Sequence, residues 1–221
     1  MNKNKNIWQQ LKKPIFILAP MEDVTDTVFR QIVLSLGKPD LFFTEFTNCE
    51  ALLSKGKRRV EHRLQFTSLE KPIIAQIWGT KPEQFKKVAE TLVDMGFDGI
   101  DINMGCPERS VVRQGACSAL IKDHALTREI IQAVKEGSGG KLPVSVKTRI
   151  GFNEIQTEEW IGFLLEQDLA SLTIHGRTVK EMSAVPAHWD EIGKVTLLRD
   201  QLNSNTIIIG NGDVMSLKEA K

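Results

Sequence analysis

Apolar residues along the chain gather into seven short runs, separated by longer amphipathic stretches. The runs occupy residues 15–19, 41–44, 73–77, 99–103, 144–147, 171–174 and 206–209. Each is rich in Ile, Val, Leu or Phe and has the length of a strand buried on both faces. Between the runs the apolar period changes to that of a helix. Residues 25–36 place Val28, Ile32, Val33 and Leu36 on one side, and Thr25 is the expected N-cap. Residues 82–95 place Phe85, Val88, Ala89, Leu92 and Val93 on one face, with Gly96 as the expected stop. Residues 127–135 and 157–167 have the same character.

Strand followed by helix, repeated, predicts an α/β fold with a parallel sheet. The spacing of strand starts fits a TIM-type (β/α)8 barrel. A doubly wound sheet is the rival. It requires a glycine-rich phosphate turn after the first strand, and Ala19-Pro20-Met21-Glu22-Asp23 is not one. Seven strands are visible, and Lys221 falls inside an expected seventh helix that starts near Ser216. The expectation is an incomplete barrel over residues 14–221, with about seven β/α units and the eighth absent. A polar extension, residues 1–13, precedes it.

In such a barrel the C-terminal end of each strand faces the active site. Those positions hold Pro20 and Met21, Glu45, Gln76, Asn103, Lys147, His175 and Asn211-Gly212-Asp213. One strand-end polar residue says little, because it can simply cap a helix or meet solvent. A polar group at almost every strand end points to a ligand. Cys106 lies three residues beyond Asn103, framed by Gly105 and Pro107. Glycine permits a tight turn there and proline stiffens the exit. A bare cysteine is more often a buried packing residue, as expected for Cys49 and Cys117. The frame around Cys106 argues for a thiol at the mouth. Lys147 ends an otherwise small and apolar strand, so it needs an anion or an ion pair with Glu45 or Asp101. Lys147 and His175 on one cavity would suit an electron-rich ring such as a flavin.

Composition narrows the reading. The net charge is +1, so no global field announces a polyanion, and any such partner must meet local patches. Three cysteines without a C-x-x-C pair argue against a disulfide framework or a zinc site, and no metal is expected. Residues 1–13 lack the apolar stretch of a signal peptide, and no membrane-length apolar run occurs. The expected setting is cytoplasmic, with no membrane partner. The densest basic run is Lys55, Lys57, Arg58, Arg59 and Arg63. It reads equally well as a solvated helix face or as a polyanion contact.

Taken in order, several segments resemble the tRNA-dihydrouridine synthase family. They are Leu18 to Asp26, Thr44-Glu45-Phe46, Gln76-Ile77-Trp78-Gly79 and Ile100 to Pro107. Val146 to Gly151, Thr173 to Thr178 and Gly210 to Asp213 complete the set. The Asn103-Met104-Gly105-Cys106-Pro107 block is the most specific. The resemblance implies an FMN-containing barrel that reduces uridine in tRNA to 5,6-dihydrouridine, with NADPH as electron source. It implies Pro20, Met21 and Glu22 against the flavin, mostly through backbone. It implies Gln76 and Lys147 at the ring edge, His175 near the ring or phosphate end, and Asn211, Gly212 and Asp213 at the ribityl phosphate. Asn103 would bond the target uracil, with Arg109, Arg113 and Arg177 as RNA contacts. Cys106 would deliver a proton to uracil C5 after hydride from reduced FMN adds at C6. The chain departs from the family at Asp23, where a glycine is usual. It also departs in lacking an eighth unit and a C-terminal helical tRNA-binding domain. Two alternatives remain at this point: an FMN barrel reductase of small pyrimidines or enones, and a non-catalytic remnant.

Overall fold

The structure is a computed structural model that describes residues 7–216 and 218–220. The chain divides into two compact units. The first runs to Asp101 and includes Gln132–Pro143; the second comprises Ile102–Ile131 and the chain from Val144 on.

In the first unit, β1 (Ile17–Leu18) pairs in parallel with β2 (Leu41–Phe43), Ile17 opposite Leu41. β2 pairs in parallel with β3 (Ile73–Trp78), Phe42 opposite Ile73. A two-residue strand, Thr47–Asn48, continues past β2 and joins the far end of β3. Leu41, Phe42, Ile73, Ile74, Ala75 and Ile77 are fully buried. This explains why the runs read as continuously apolar rather than alternating.

Two helices of this unit show opposite relations between pattern and burial. The helix Pro82–Met95 has proline in its first turn and Gly96 in the left-handed conformation at φ 80°, as expected. It buries Phe85, Val88, Ala89 and Leu92. The helix Thr27–Leu36 corrects the sequence expectation twice. Its N-cap is Asp26, whose carboxylate accepts from Phe29 N–H at 2.8 Å. Thr25 is instead buried one residue earlier, with its hydroxyl on the backbone of Met21. The apolar side of this helix is exposed at Val28, Ile32 and Leu36. The side that enters the core carries Arg30, which meets Glu70 at 2.6 Å with both side chains wholly buried. Arg30 also donates to the carbonyls of Thr25 and Gln65, while Glu70 accepts from Thr27 and Thr67. A polar network takes the place that periodicity assigned to an apolar stripe.

The expected polar extension is also partly structured. Residues 1–6 lie outside the described residues. Ile7–Gln10 form a helical turn, and Trp8 is buried with its ring 6.4 Å from Phe43.

β4 (Gly99–Met104) begins in the first unit and ends in the second. In the second unit β5 (Val144–Arg149), β6 (Ser171–His175) and β7 (Ile207–Asn211) pair in parallel. The register sets Arg149 opposite His175, and His175 opposite Asn211. Because side chains alternate along a strand, Lys147 and Arg149 share one face of β5, and Thr148 turns to the other. There Thr148 accepts from the indole N–H of buried Trp160 at 2.9 Å. Trp160 belongs to a stack with His124 and Phe163.

All seven expected strands form, each within two residues of its expected bounds. The helix expected over 127–135 is longer, His124–Ser138. The one expected over 157–167 breaks into a π-helical turn, Thr157–Ile161, and a short helix, Gly162–Leu165. The expected helix from Ser216 shows one helix-like bond, from Ala220 N–H to the Ser216 carbonyl; Leu217 and Lys221 lie outside the described residues.

Candidate active site

The turn after β4 is built by Asn103, whose side chain is 8% exposed. Its Oδ1 accepts from the backbone N–H of both Gly105 and Cys106, each at 3.0 Å. Since both partners are donors, the oxygen of this amide must face the turn, and the NH2 end points elsewhere. Arg149 holds the other side of the same segment. Its Nε donates to the Gly105 carbonyl at 2.9 Å, and Nη1 donates to the carbonyls of Thr178 and Met182, each at 3.1 Å. One buried guanidinium therefore fastens the Cys106 turn to the loop after β6. Gly105 is favoured by packing, because a Cβ there would sit a tight 3.3–3.4 Å from the backbone of Lys147 and Thr148. Cys106 itself is half-buried, whereas Cys49 and Cys117 are wholly buried. Burial pushes the Cys49 thiol up, away from reactivity. Burial lowers the basicity of Arg149, and proximity to Cys106 opposes that loss.

Beside this turn lies a row of polar groups at the ends of β5, β6 and β7. Lys147 Nζ donates to Asn211 Oδ1 at 3.1 Å. His175 is pushed down to about 3, first by burial and then by the charges of Arg149, Lys147 and Arg177. It is neutral near pH 7. Arg177 Nη1 lies 3.4 Å from His175 Nε2. Arginine only donates, so Nε2 accepts and the ring proton sits on Nδ1. Gly212, at φ 119°, passes close under the ring: a Cβ there would lie 3.0 Å from His175 Cδ2. Lys147, Arg149 and Arg177, offset in part by the Asp213 carboxylate on Arg177, surround one neutral imidazole with a net positive field that favours an anionic or electron-rich ligand.

In the first unit, Gln76 and Asp101 are fully buried, and Gln76 Nε2 donates to Asp101 Oδ2 at 2.7 Å. The turn Pro20–Asp23 is held from several directions. Glu45 accepts from Asp23 N–H at 2.7 Å, where Asp23 has φ 56°. Arg63 pairs with Glu22 at 2.7 Å and with Asp23 at 3.2 Å. Both backbone groups of Met21 are engaged by Thr25. A ligand at Met21 would therefore meet its side chain, which is exposed, rather than its backbone.

The dihydrouridine synthase family model matches residues 17–221. This chain belongs to the dihydrouridine synthase family. It is 50% identical over 212 residues to the probable tRNA-dihydrouridine synthase 2 of Bacillus subtilis (strain 168), covering 95% of this chain and 64% of that protein. It is also 50% identical over 216 residues to a probable tRNA-dihydrouridine synthase of Staphylococcus aureus (strain COL), covering 97% of this chain and 65% of the other. The chain thus spans a little under two thirds of the length of these relatives. Among solved structures, histamine dehydrogenase from Rhizobium sp. 4-9 superimposes with a TM-score of 0.64 at 12% identity, covering 96% of this chain and 43% of that one. That likeness concerns the fold alone, and it agrees with the incomplete β/α barrel read from the seven parallel strands.

The side chains of Arg177 and Asp213 are engaged with each other. Arg177, expected to contact RNA, is buried and committed: Nη2 meets both carboxylate oxygens of Asp213, at 2.7 and 2.6 Å, and Nε donates to the Val185 carbonyl. Asp213, expected at a phosphate, turns its carboxylate to Arg177 and to Ala187 N–H at 2.8 Å. A carboxylate so placed braces the Asn211–Asp213 turn, which leaves the backbone of Asp213 for any phosphate contact. Arg109 and Arg113 are both exposed, as an RNA contact requires. The sequence reading overlooked Arg149. Its signal was its position two residues beyond Lys147, on the same strand face.

The depressed His175 has a consequence for stability. The unfolded chain takes up a proton near the ordinary histidine value of 6.5, and the folded protein does not until about pH 3. Stability tied to His175 is therefore complete above about pH 6.5 and is lost as pH falls towards 3. The measurement is the urea midpoint across that window, for the native chain and for His175→Gln. The variant should lose stability less steeply on acidification; parallel curves would refute the assignment.

Proposed function

We propose that this chain reduces the 5,6 double bond of a uridine in tRNA, giving 5,6-dihydrouridine. The observation that carries the reading is the Cys106 turn, clamped between Asn103 and Arg149 beside a cluster of cations. A flavin fits the residues present. Lys147 and the Nδ1–H of neutral His175 are donors suited to the acceptor-rich edge of such a ring, and the surrounding cations suit a phosphate or a reduced ring. Lys147, His175, Asn211 and Gly212 are the proposed holders in the second unit; Pro20, Met21, Glu22 and Gln76, in the first unit, are the further positions that the family resemblance implies. When bound and reduced, with NADPH as the electron source, the flavin would supply the hydride for uracil C6.

The chain's own residues do the rest. Addition at C6 leaves enolate-like charge reaching C5, because the double bond is conjugated to the C4 carbonyl. The Cys106 thiol delivers the proton to C5 as a general acid. A protonated thiol can serve as such an acid and is left as a thiolate. The NH2 end of Asn103 is oriented as a donor and is proposed to bond a uracil carbonyl. Arg109 and Arg113 are proposed to contact RNA phosphates near the flipped base.

The test is direct. Purified chain is examined for flavin absorbance, then incubated with an unmodified tRNA transcript and NADPH, and dihydrouridine is measured by mass spectrometry. Bound flavin with dihydrouridine formed supports the proposal. Bound flavin with turnover only on free pyrimidines or enones would replace it with a small-molecule reductase. A colourless, inactive protein would leave the chain a non-catalytic member of the family.

A further inference from the structure

The basic run in the first unit has features that its sequence alone does not show. Residues 55–63 hold five Lys/Arg and one acidic residue, a net +4 against +1 for the whole chain. Lys55, Lys57, Arg58 and Arg59 are all exposed. Among the described residues none of the four has a carboxylate within 4.0 Å, whereas Arg30, Lys71 and Lys86 of the same unit each pair with one. Lys57–Val60 form a single helical turn, so consecutive side chains at 57, 58 and 59 fan out at about 100° steps instead of stacking on one face. Four crowded like charges with one acidic neighbour, Glu61, oppose folding. An ordinary solvated face intersperses the two signs.

Arg63 decides where this segment lies. Its guanidinium holds Glu22 and Asp23, and it also reaches the Phe46 carbonyl at 3.4 Å. The run is thereby fastened to the turn after β1 and to the chain just past the end of β2. These are the C-terminal ends of the strands, the side on which the turn proposed to meet the flavin also lies.

We propose that Lys55, Lys57, Arg58 and Arg59 form a docking surface for the phosphate backbone of the RNA substrate. The inference rests on the reading of the chain as a tRNA uridine reductase. A base that leaves the stack to enter a site keeps its flanking phosphates outside, where they need cations at the rim. Such contacts carry affinity and register, not sequence choice.

The experiment measures binding of an unmodified tRNA transcript to the 221-residue chain by fluorescence anisotropy, over a range of potassium chloride and without NADPH. The fourfold variant Lys55→Gln, Lys57→Gln, Arg58→Gln, Arg59→Gln should bind at least about 10-fold more weakly near ~0.1 M salt. Its slope of log K against log salt should shrink by about 2–4. The charge-keeping variant Lys55→Arg, Lys57→Arg, Arg58→Lys, Arg59→Lys should retain both the affinity and the slope. An unchanged slope in the Gln variant overturns the proposal. So does wild-type binding to anionic phospholipid vesicles without binding to tRNA. Turnover on tRNA with an unchanged slope would leave the proposed reaction standing and remove this surface from it. Charge-dependent tRNA binding without dihydrouridine would do the reverse.

Discussion

Cys106→Ala is expected to lower the rate of dihydrouridine formation by about 10²–10⁴-fold, the usual worth of a positioned general acid. The folded structure should persist. Cys106 is half-buried, and its backbone N–H is held by Asn103 whatever its side chain. Flavin content and the melting transition should therefore match the unaltered chain, and the loss should fall on turnover. Cys106→Ser separates acidity from shape. A hydroxyl occupies nearly the same place but is a far weaker acid, so the serine variant should stay well below the native rate. The measurement is single-turnover dihydrouridine formation on an unmodified transcript. Full activity in the alanine variant would refute the assignment of Cys106, because no other thiol can substitute. Cys49 and Cys117 are wholly buried.

The second large effect concerns stability. Arg30→Met should destabilise the chain by roughly 3–5 kcal/mol, the range seen when one partner of a buried ion pair is removed. The reason is specific to this site. Arg30 and Glu70 are both fully buried, and removing the guanidinium strands the Glu70 carboxylate and two carbonyls, Thr25 and Gln65. The double variant Arg30→Met, Glu70→Gln should be less damaging than Arg30→Met alone, since no uncompensated charge remains. Urea unfolding of the three proteins checks both statements. A cost below about 1 kcal/mol for Arg30→Met would mean that this network does not hold the Thr27–Leu36 helix.

Much of the architecture was legible from local pattern. β2 and β3 were readable because a strand covered on both faces is apolar along most of its length. The helix Pro82–Met95 was readable because its apolar positions, its first-turn proline and Gly96 all agree. The Thr27–Leu36 helix was misread for a physical reason. Periodicity reports where apolar side chains lie on a helix, and here they lie outside. The inward contact is an ion pair, and its partner Glu70 is 40 residues away.

The candidate site divides in the same way. Cys106 was legible because the Asn-x-Gly-Cys-Pro frame is local: the amide that caps the turn and the residues that shape it are neighbours in sequence. Lys147 and His175 were legible as strand ends. Arg149 and Arg177 were not assignable, because what a guanidinium does depends on which acceptors lie within reach. Arg149 reaches carbonyls 29, 33 and 44 residues distant, and Arg177 finds Asp213 at a separation of 36.

By itself, then, the sequence determined the order of strands and helices, the thiol-bearing turn and the family. Those features rest on side-chain period and backbone preference, which act over a few residues. Only the tertiary structure decided which charged groups are braces and which face outward. Arg30, Arg149 and Arg177 became internal ties, and Lys55, Lys57, Arg58 and Arg59 are exposed, with no carboxylate partner among the described residues. A long cationic side chain stays in water unless folding brings it an acceptor, and that acceptor is supplied by the fold and not by its sequence neighbours.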